Sequence, residues 1–289
     1  MSPGRSPKSV LITGCSKGGI GDALAQEFKS RGLRVFATAR NPAKIEHLKE
    51  LGCDTLLLDV TSQQSIDAAV KSVSDATLGT LDILVNNAGA MSTISIVDAN
   101  IDDVKRVFDT NFWSVVMMSK AFLPLLIATS GILANVSSIS PITCSPFQGY
   151  YSCSKAALRA LSDTMCLELK PFGVRVVSLV TGSVTSHLIE NGAKDALVVP
   201  EGSYYAPLAD WLNGRKAQSQ AMGKVRAISA EKYARQTAND LLKKNPKWIS
   251  RRGGFIKNRP TGRHYGLDKL EAPKTKNEES AAATAELAG

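Results

Sequence analysis

The chain has 289 residues, 44% of them hydrophobic, and a formal net charge of +9. That content can bury one large core, and the length fits a single domain with tails. Met1 to Lys8 lacks the apolar centre of a secretory signal, and five cysteines, an odd number without metal-ligand spacing, fit a reducing compartment, so a cytoplasmic chain without a metal site is expected. Cys144, Cys153 and Cys166 read as small buried hydrophobes or bystanders.

Ser9 to Thr13 is a short β-rich run that ends in the glycine-rich turn Gly14-Cys15-Ser16-Lys17-Gly18-Gly19-Ile20-Gly21. A helical pattern through Ala23, Leu24 and Phe28 follows. Strand, glycine turn and helix together make a phosphate cradle, because glycines let the backbone approach a pyrophosphate and the helix N-terminus offers unpaired amides. Arg34 to Thr38 reads as a second strand, ending in Ala39-Arg40-Asn41 where a NAD-specific protein would carry an acid for the ribose diol. Arg40, with Lys17, could instead pair with a 2′-phosphate, which selects NADPH/NADP+; the bland alternative makes Arg40 a surface residue after a strand.

Leu56 to Val60 is predicted as a third, buried strand and Ser62 to Val73 as a capped helix. Leu81 to Val85 is a strand leading into Asn86-Asn87-Ala88-Gly89, where small residues leave room for a ligand and Gly89 suggests close backbone contact. Asp102 to Ala128 reads as a long helix carrying Asn111, a polar residue in an apolar run that is costly unless hydrogen-bonded.

Phe112 to Val136 is almost continuously apolar and longer than the ~20 residues a bilayer needs. Lys120, Pro124 and Gly131 break it into a helix ending near Ala128 and a strand, Ile132 to Val136, so no transmembrane segment is assigned. That strand delivers Ser137 and Ser138 to its carboxyl end, where ligands bind in open α/β sheets.

Tyr151 to Lys155 opens a helix whose Ala157, Leu158, Leu161, Met165 and Leu169 recur at helical spacing. Tyr151 and Lys155 share one face. The ammonium is therefore expected to pull the phenol below its reference of about 10 and make it a proton donor.

Pro171-Phe172-Gly173 stops that helix. Val174 to Val180 reads as a buried strand, followed by Thr181-Gly182-Ser183-Val184-Thr185-Ser186, and Lys232 to Lys244 as a further helix. Glu271 to Gly289 cannot build a core and reads as disordered, as residues 1–8 read as a flexible N-terminus. Basic residues crowd the stretch from Arg215 to Arg263. Without interleaved aromatics they read as solvated faces and a basic tail rather than a nucleic-acid surface, with peripheral contact to an anionic membrane as the alternative.

The ordered set of glycine turn, Asn-Asn-Ala-Gly, Asn111, Ser138 and Tyr151-x-x-x-Lys155 resembles the short-chain dehydrogenase/reductase family, from about Ser9 to about Val184. The resemblance implies a single-domain, doubly wound α/β Rossmann fold, with a parallel sheet covered by helices on both faces. It implies Tyr151 as catalytic acid/base, and Lys155 as its assistant and binder of the nicotinamide ribose. Ser138, thirteen positions before Tyr151, would bond the substrate carbonyl, and Asn111 would hold a water in the proton relay.

For the cofactor, the resemblance implies Gly14, Ser16, Lys17, Gly19, Ile20 and Gly21 at the pyrophosphate, and Asp59 at the adenine amino group with Val60 donating through its backbone. Asn87, Ala88 and Gly89 would lie near the ribose, and Val184 and Ser186 at the carboxamide. It implies a substrate lid at about 187–223, with Leu197, Val199, Tyr204, Tyr205, Leu208 and Trp211 lining an apolar pocket. Homo-oligomers would form through the helices beginning near Asp102 and Gly149. Two departures stand out. The glycine turn has one residue more than the commonest form, and Thr181 stands where most members have proline.

Gly14-Cys15-Ser16, Pro146-Phe147-Gln148-Gly149, Val180-Thr181-Gly182 and Lys247-Trp248-Ile249 with Gly253-Gly254 resemble a fungal branch that includes NADPH-dependent 1-acyldihydroxyacetone phosphate reductases. Those relatives carry an apolar stretch after the Gly-Gly. Here Phe255 to His264 is short and basic. The expectation is therefore a ketoreductase or alcohol dehydrogenase acting on a small lipophilic ketone or its secondary alcohol in fungal natural-product synthesis, with the acyl-phosphate lipid as alternative substrate. A non-catalytic NADP(H)-binding regulator is the alternative from another class, and the intact Ser138, Tyr151 and Lys155 argue against it.

Overall fold

Seven parallel strands form one sheet in the computed structural model, which describes residues 7–143, 145–186, 199–214 and 225–254. In chain order they are β1 (Ser9–Ile12), β2 (Arg34–Ala39), β3 (Asp54–Leu57), β4 (Ile83–Asn86), β5 (Ile132–Ser138), β6 (Arg175–Thr181) and β7 (Ile249–Arg252). In space the order is β3-β2-β1-β4-β5-β6-β7. The helices are α1 (Ile20–Ser30), α2 (Glu46–Glu50), α3 (Gln63–Thr77), α4 (Ile101–Phe108), α5 (Ser114–Ile127), α6 (Ser140–Thr143), α7 (Gly149–Glu168) and α8 (Ala230–Leu241). This is the doubly wound arrangement expected from the sequence.

The strands are apolar on both faces because both faces are covered. Val10 and Ile12 of β1 join one core with Leu24, Phe28, Ile45, Leu48, Tyr233 and Leu241. Leu11, between them, points into the other core with Ile66, Val73, Phe122 and Leu126. The alternation follows from the two-residue period of a strand. It recurs in β4 and β5, whose Leu84 and Leu133 face the second core while Ile83, Val85, Ile132 and Ala134 face the first.

The apolar run breaks where the sequence predicts, with α5 ending at Ile127 and β5 beginning at Ile132. The helical stretch Ile101–Ile127 is long and apolar enough to cross a membrane, with a mean hydropathy of 1.3. Its Met118, Phe122, Leu125 and Leu126 are buried in the second core, as a sheet-covering helix requires.

Several expectations are corrected. The third strand is Asp54–Leu57, not Leu56 to Val60, and Leu57 is 62% exposed, because β3 is an edge strand paired only with β2. Leu58 and Val60 are buried, but beyond the strand's end. The helix capped by Ser62 runs on to Thr77, and the last described helix is Ala230–Leu241 rather than Lys232 to Lys244. β7 and α2 were not expected at all. Of the two readings for Cys153 and Cys166, exposed Cys153 is a bystander and Cys166 is half-buried against the second core; the buried cysteines among the described residues are Cys15 and Cys53. Of the basic stretch, Lys243 and Arg252 are paired with Asp240 at 2.9 and 2.6 Å. The expected flexible N-terminus up to residue 6, the basic interval from Phe255 to His264, the tail from Glu271 and Cys144 lie outside the described residues.

Phe122 is fully buried, so Phe122→Ala is expected to destabilise the fold by about 3–5 kcal/mol. Leu57→Ala, on the exposed edge, should stay within about 0.5 kcal/mol. Urea unfolding of the two variants against wild type checks both.

Candidate active site

The chain leaves β1 toward β2 and β3 and returns on the other side at β4. The connections after β1 and β4 therefore diverge and open a crevice at the strands' carboxyl ends. Two loops meet there. The amides of Asn87 and Ala88 both donate to Thr13 Oγ1 at 2.9 Å, and Asn87 Nδ2 donates to the carbonyls of Thr13 and Gly14 at 2.8 and 3.1 Å. Gly14 has φ of 74°, and a Cβ on it would lie 3.0 Å from Ala88 Cα; one on Gly21 would lie 2.6 Å from Asn87 Nδ2. These two glycines are thus required by the closure of the loops on each other.

Several amides of the lengthened turn are already used. Lys17 donates to the Lys44 carbonyl at 3.0 Å, Gly18 to Asp22 Oδ2 at 2.7 Å and Gly19 to the Ser16 carbonyl at 3.1 Å. Helix α1 has no side-chain cap, so the amides of Ile20 and Gly21 at its first turn are left for an anion. The phosphate contact open to Lys17 is its exposed side chain, not its amide. Arg40 is exposed just after β2.

Asp59 follows β3. Its carboxyl is held below the usual range, first by the amide and hydroxyl of Thr61 and further by the charge of Arg40. Thr61 occupies Oδ1 at 2.9 and 2.7 Å, which leaves Oδ2 for a ligand. The amide of Val60 has no hydrogen bond among the described residues.

On the other side of the crevice, β5 ends in Ser138 and α7 carries Tyr151 and Lys155, both buried. Ser138 Oγ accepts the amide of Ser140 at 3.1 Å, and its hydroxyl stands close enough to the Tyr151 phenol to act on its titration. Lys155 Nζ donates to the carbonyl of Val136 at 2.9 Å and lies 6.0 Å from the centre of the Tyr151 ring. Burial pushes the ammonium down to about 8. The expected lowering of the phenol does not occur. Burial raises Tyr151, and the opposing influence is the Ser138 hydroxyl; the fully desolvated phenolate is disfavoured more than its neighbour favours it.

Asn111 lies in a single π-helical turn, Asp109–Trp113, between α4 and α5, a distortion often found at functional sites. Its Oδ1 accepts the Ala90 amide at 2.8 Å, and its Nδ2 donates to the Ala90 carbonyl at 2.8 Å and to Ser154 Oγ at 3.0 Å. Both Nδ2 donors are therefore used, and the water expected at Asn111 would be left the second acceptor position of Oδ1 or the backbone of this turn. Gly89 sits between the groups, with Asn111 Oδ1 at 3.3 Å and Lys155 Nζ at 3.7 Å from where a Cβ would be.

The segment after β6 is braced by β7. Gly182 donates to Arg252, Ser183 to Gly254, Ile228 to Ser183 and Thr185 to Ile228, at 2.8 to 3.2 Å. The flanking residues satisfy this ladder, which leaves the amide and carbonyl of Val184 itself for a ligand. Thr181, in the place of the family's proline, shares a buried 2.7 Å hydrogen bond with Tyr233 of α8. Ser186 is buried.

Of the expected pocket lining, Tyr205 packs edge-on against Phe147 at 5.5 Å, whereas Tyr204 is 89% exposed and does not line a cleft here. Trp211 is also exposed, Val199 and Leu208 are half-buried, and Leu197 lies outside the described residues, as do residues 187–198 and 215–224 of the expected lid. Sequence reasoning missed Asp22, His47 and Tyr233. Asp22 was detectable as an acid in the first turn after the glycines, while the other two have no local signature.

A family model described as short chain dehydrogenase matches residues 8–196. The chain belongs to the short-chain dehydrogenase/reductase family. It is 43% identical over 249 residues to the short-chain dehydrogenase ptmH of Penicillium ochrochloron, covering 86% of this chain and 87% of that one. It is also 43% identical over 202 residues to an NADPH-dependent 1-acyldihydroxyacetone phosphate reductase of Schizosaccharomyces pombe, covering 69% and 68%. Among solved structures it is similar to an NADPH-bound carbonyl reductase from chicken fatty liver, with a TM-score of 0.59, 29% identity and coverage of 64% and 82%. The chain is an oxidoreductase of this family with fungal relatives.

Burial of Lys155 has a measurable sign. The folded chain releases this proton near pH 8, whereas an unfolded lysine holds it to about 10.4. Between those values the unfolded state binds more protons, so this group makes stability rise with pH. Lys155→Met is expected to remove that increment, read as the wild-type minus mutant difference in urea midpoint between pH 8 and 9.5. Parallel pH profiles would show that the ammonium is not buried as described.

Proposed function

We propose that the protein is an NADPH-dependent ketoreductase that interconverts a lipophilic ketone and its secondary alcohol. The observation that carries this reading is the Tyr151 phenol, buried, under the influence of the Ser138 hydroxyl and on one helix face with Lys155, whose Nζ lies 6.0 Å from its ring centre. A phenol raised by burial remains protonated and is poised to donate. Tyr151 would give its proton to the substrate oxygen while the Ser138 hydroxyl donates a second hydrogen bond to the same oxygen, so that negative charge developing there is neutralised. The Lys155 ammonium would favour the resulting phenolate and hold the ribose.

The residues present suit a dinucleotide: free amides at Ile20, Gly21, Val60 and Val184, a free carboxylate oxygen on Asp59, and exposed cations at Lys17 and Arg40 without an acid after β2. When bound, the nicotinamide supplies or accepts the hydride. The NADPH reading is supported by Arg40, by the NADPH dependence named for the Schizosaccharomyces pombe relative and by the NADPH bound to the chicken carbonyl reductase. The fungal short-chain dehydrogenase relatives favour a natural-product ketone, and the named reductase keeps the acyl-phosphate lipid as second reading. We further infer a cytoplasmic homo-oligomer of one catalytic domain.

Tyr151→Phe is expected to lower kcat by ~10² to 10⁴-fold with NADPH binding nearly intact. Tyr150→Phe, whose hydroxyl bonds the Ile96 carbonyl at 3.0 Å instead, should be far less sensitive. NADPH oxidation followed across polycyclic ketones and acyl-dihydroxyacetone phosphate separates the two substrate readings, and a Tyr151→Phe enzyme retaining more than about a tenth of kcat removes the assigned acid. Arg40→Asp should invert a preference for NADPH over NADH of roughly ten- to a thousandfold, since it removes an attraction and adds a repulsion. Equal wild-type affinities, or an unchanged ratio in the mutant, would leave Arg40 a surface residue.

A further inference from the structure

The turn after β1 has one residue more than the family's commonest form, and a longer loop has more conformations to lose when it is held open around a ligand. Gly18, at φ of 77°, has its amide bonded to Asp22 Oδ2 at 2.7 Å. Asp22 lies in the first turn of α1 with its side chain only 7% exposed. Its other oxygen, Oδ1, accepts Gln26 Nε2 at 2.8 Å and meets His47 Nε2 at 2.8 Å. A buried carboxylate is tolerated only with such partners.

The position of Asp22 makes these partners matter for binding. The carboxylate stands within one helical turn of the Ile20 and Gly21 amides, so its charge, if uncompensated, would repel the anion they receive. Gln26 is on α1 itself and cannot tie the turn to anything else. His47 comes from α2, which continues directly from a 3-10 turn, Pro42–Ile45, that begins just after Arg40 and reaches the glycine turn through the Lys17 to Lys44 bond at 3.0 Å. Lys17 and Lys44 are the cations beside the turn, and Glu231 at the start of α8 is near enough to feel the charge of Asp22.

We propose that His47 is a positioning residue for the cofactor, acting through Asp22 to hold the lengthened turn open and to offset the carboxylate beside the pyrophosphate amides. This rests on reading the turn as the pyrophosphate cradle. The pyrophosphate is common to NADPH and NADH, so His47 acts on both cofactors alike, in contrast to Arg40.

The test is the dissociation constants of NADPH and NADH for wild type, His47→Ala and His47→Gln. His47→Ala should weaken both by roughly five- to fiftyfold with their ratio preserved, the size expected for a lost hydrogen bond to a buried charge. His47→Gln, whose amide can donate to Asp22 Oδ1, should recover most of the loss. His47→Phe keeps the ring's volume and carries the same expectation as alanine where the alanine variant does not fold. Unchanged affinities, a glutamine variant as weak as alanine, or a shift in the NADPH to NADH ratio would overturn the proposal. A wild type that binds neither cofactor would instead overturn the cradle reading itself.

Discussion

The ammonium of Lys155 sits at 4% exposure with one hydrogen bond, to the Val136 carbonyl, and no carboxylate in ion-pair reach among the described residues. A buried charge without a counter-charge is unfavourable, and much of the surrounding structure can be understood as fixing where it lies. The carbonyl that receives it belongs to β5, and the backbone of Lys155 is itself bonded to Ser137 Oγ at 3.4 Å. Strand and helix therefore set the spacing between Ser138, Tyr151 and Lys155 together. The absence of a side chain on Gly89 keeps the approach to the ammonium clear.

The two loops bordering the crevice are secured in different ways. The loop after β1 is held by glycines and by hydrogen bonds to Asn87 and Asp22. The segment after β6 is held by an added strand, and Thr181 shows how a departure from the family pattern is absorbed. Proline at that position would rigidify the bend without a donor. Threonine supplies a hydroxyl, and Tyr233 at 2.7 Å converts it into a link between β6 and α8. The pairing buries both groups with their hydrogen-bonding needs met, which burial of either alone would not.

The sequence made the central strands, the main helices and the grouping of Ser138, Tyr151 and Lys155 legible because each has a local signature: an apolar run, a helical period, a fixed spacing. β3 was misplaced because Leu56-Leu57-Leu58 is apolar throughout, and nothing local says that an edge strand leaves Leu57 in solvent. β7 was missed because Ile249-Ser250-Arg251-Arg252 carries neither an apolar run nor a clear alternation; it is a strand because β6 offers it an edge. The direction of the Tyr151 shift was misjudged because spacing reveals a neighbouring charge, whereas desolvation depends on everything packed around it. His47 could not be tied to the glycine turn, since their contact exists only once α2 has folded against α1.

The proposed catalytic groups and the proposed cofactor crevice differ in how far apart along the chain their parts lie. Ser138, Tyr151 and Lys155 belong to one continuous β5-α6-α7 unit, while the crevice is closed by bonds such as Thr13 to Asn87, across 74 residues. Contacts distant in sequence carry the larger loop-closure cost and set the pace of folding. A chain emerging from the denatured state can therefore bring Ser138, Tyr151 and Lys155 together locally before β1 and β4 have met. Recovery of nucleotide binding during refolding would then report completion of the sheet, and recovery of the Tyr151 environment would report an earlier event.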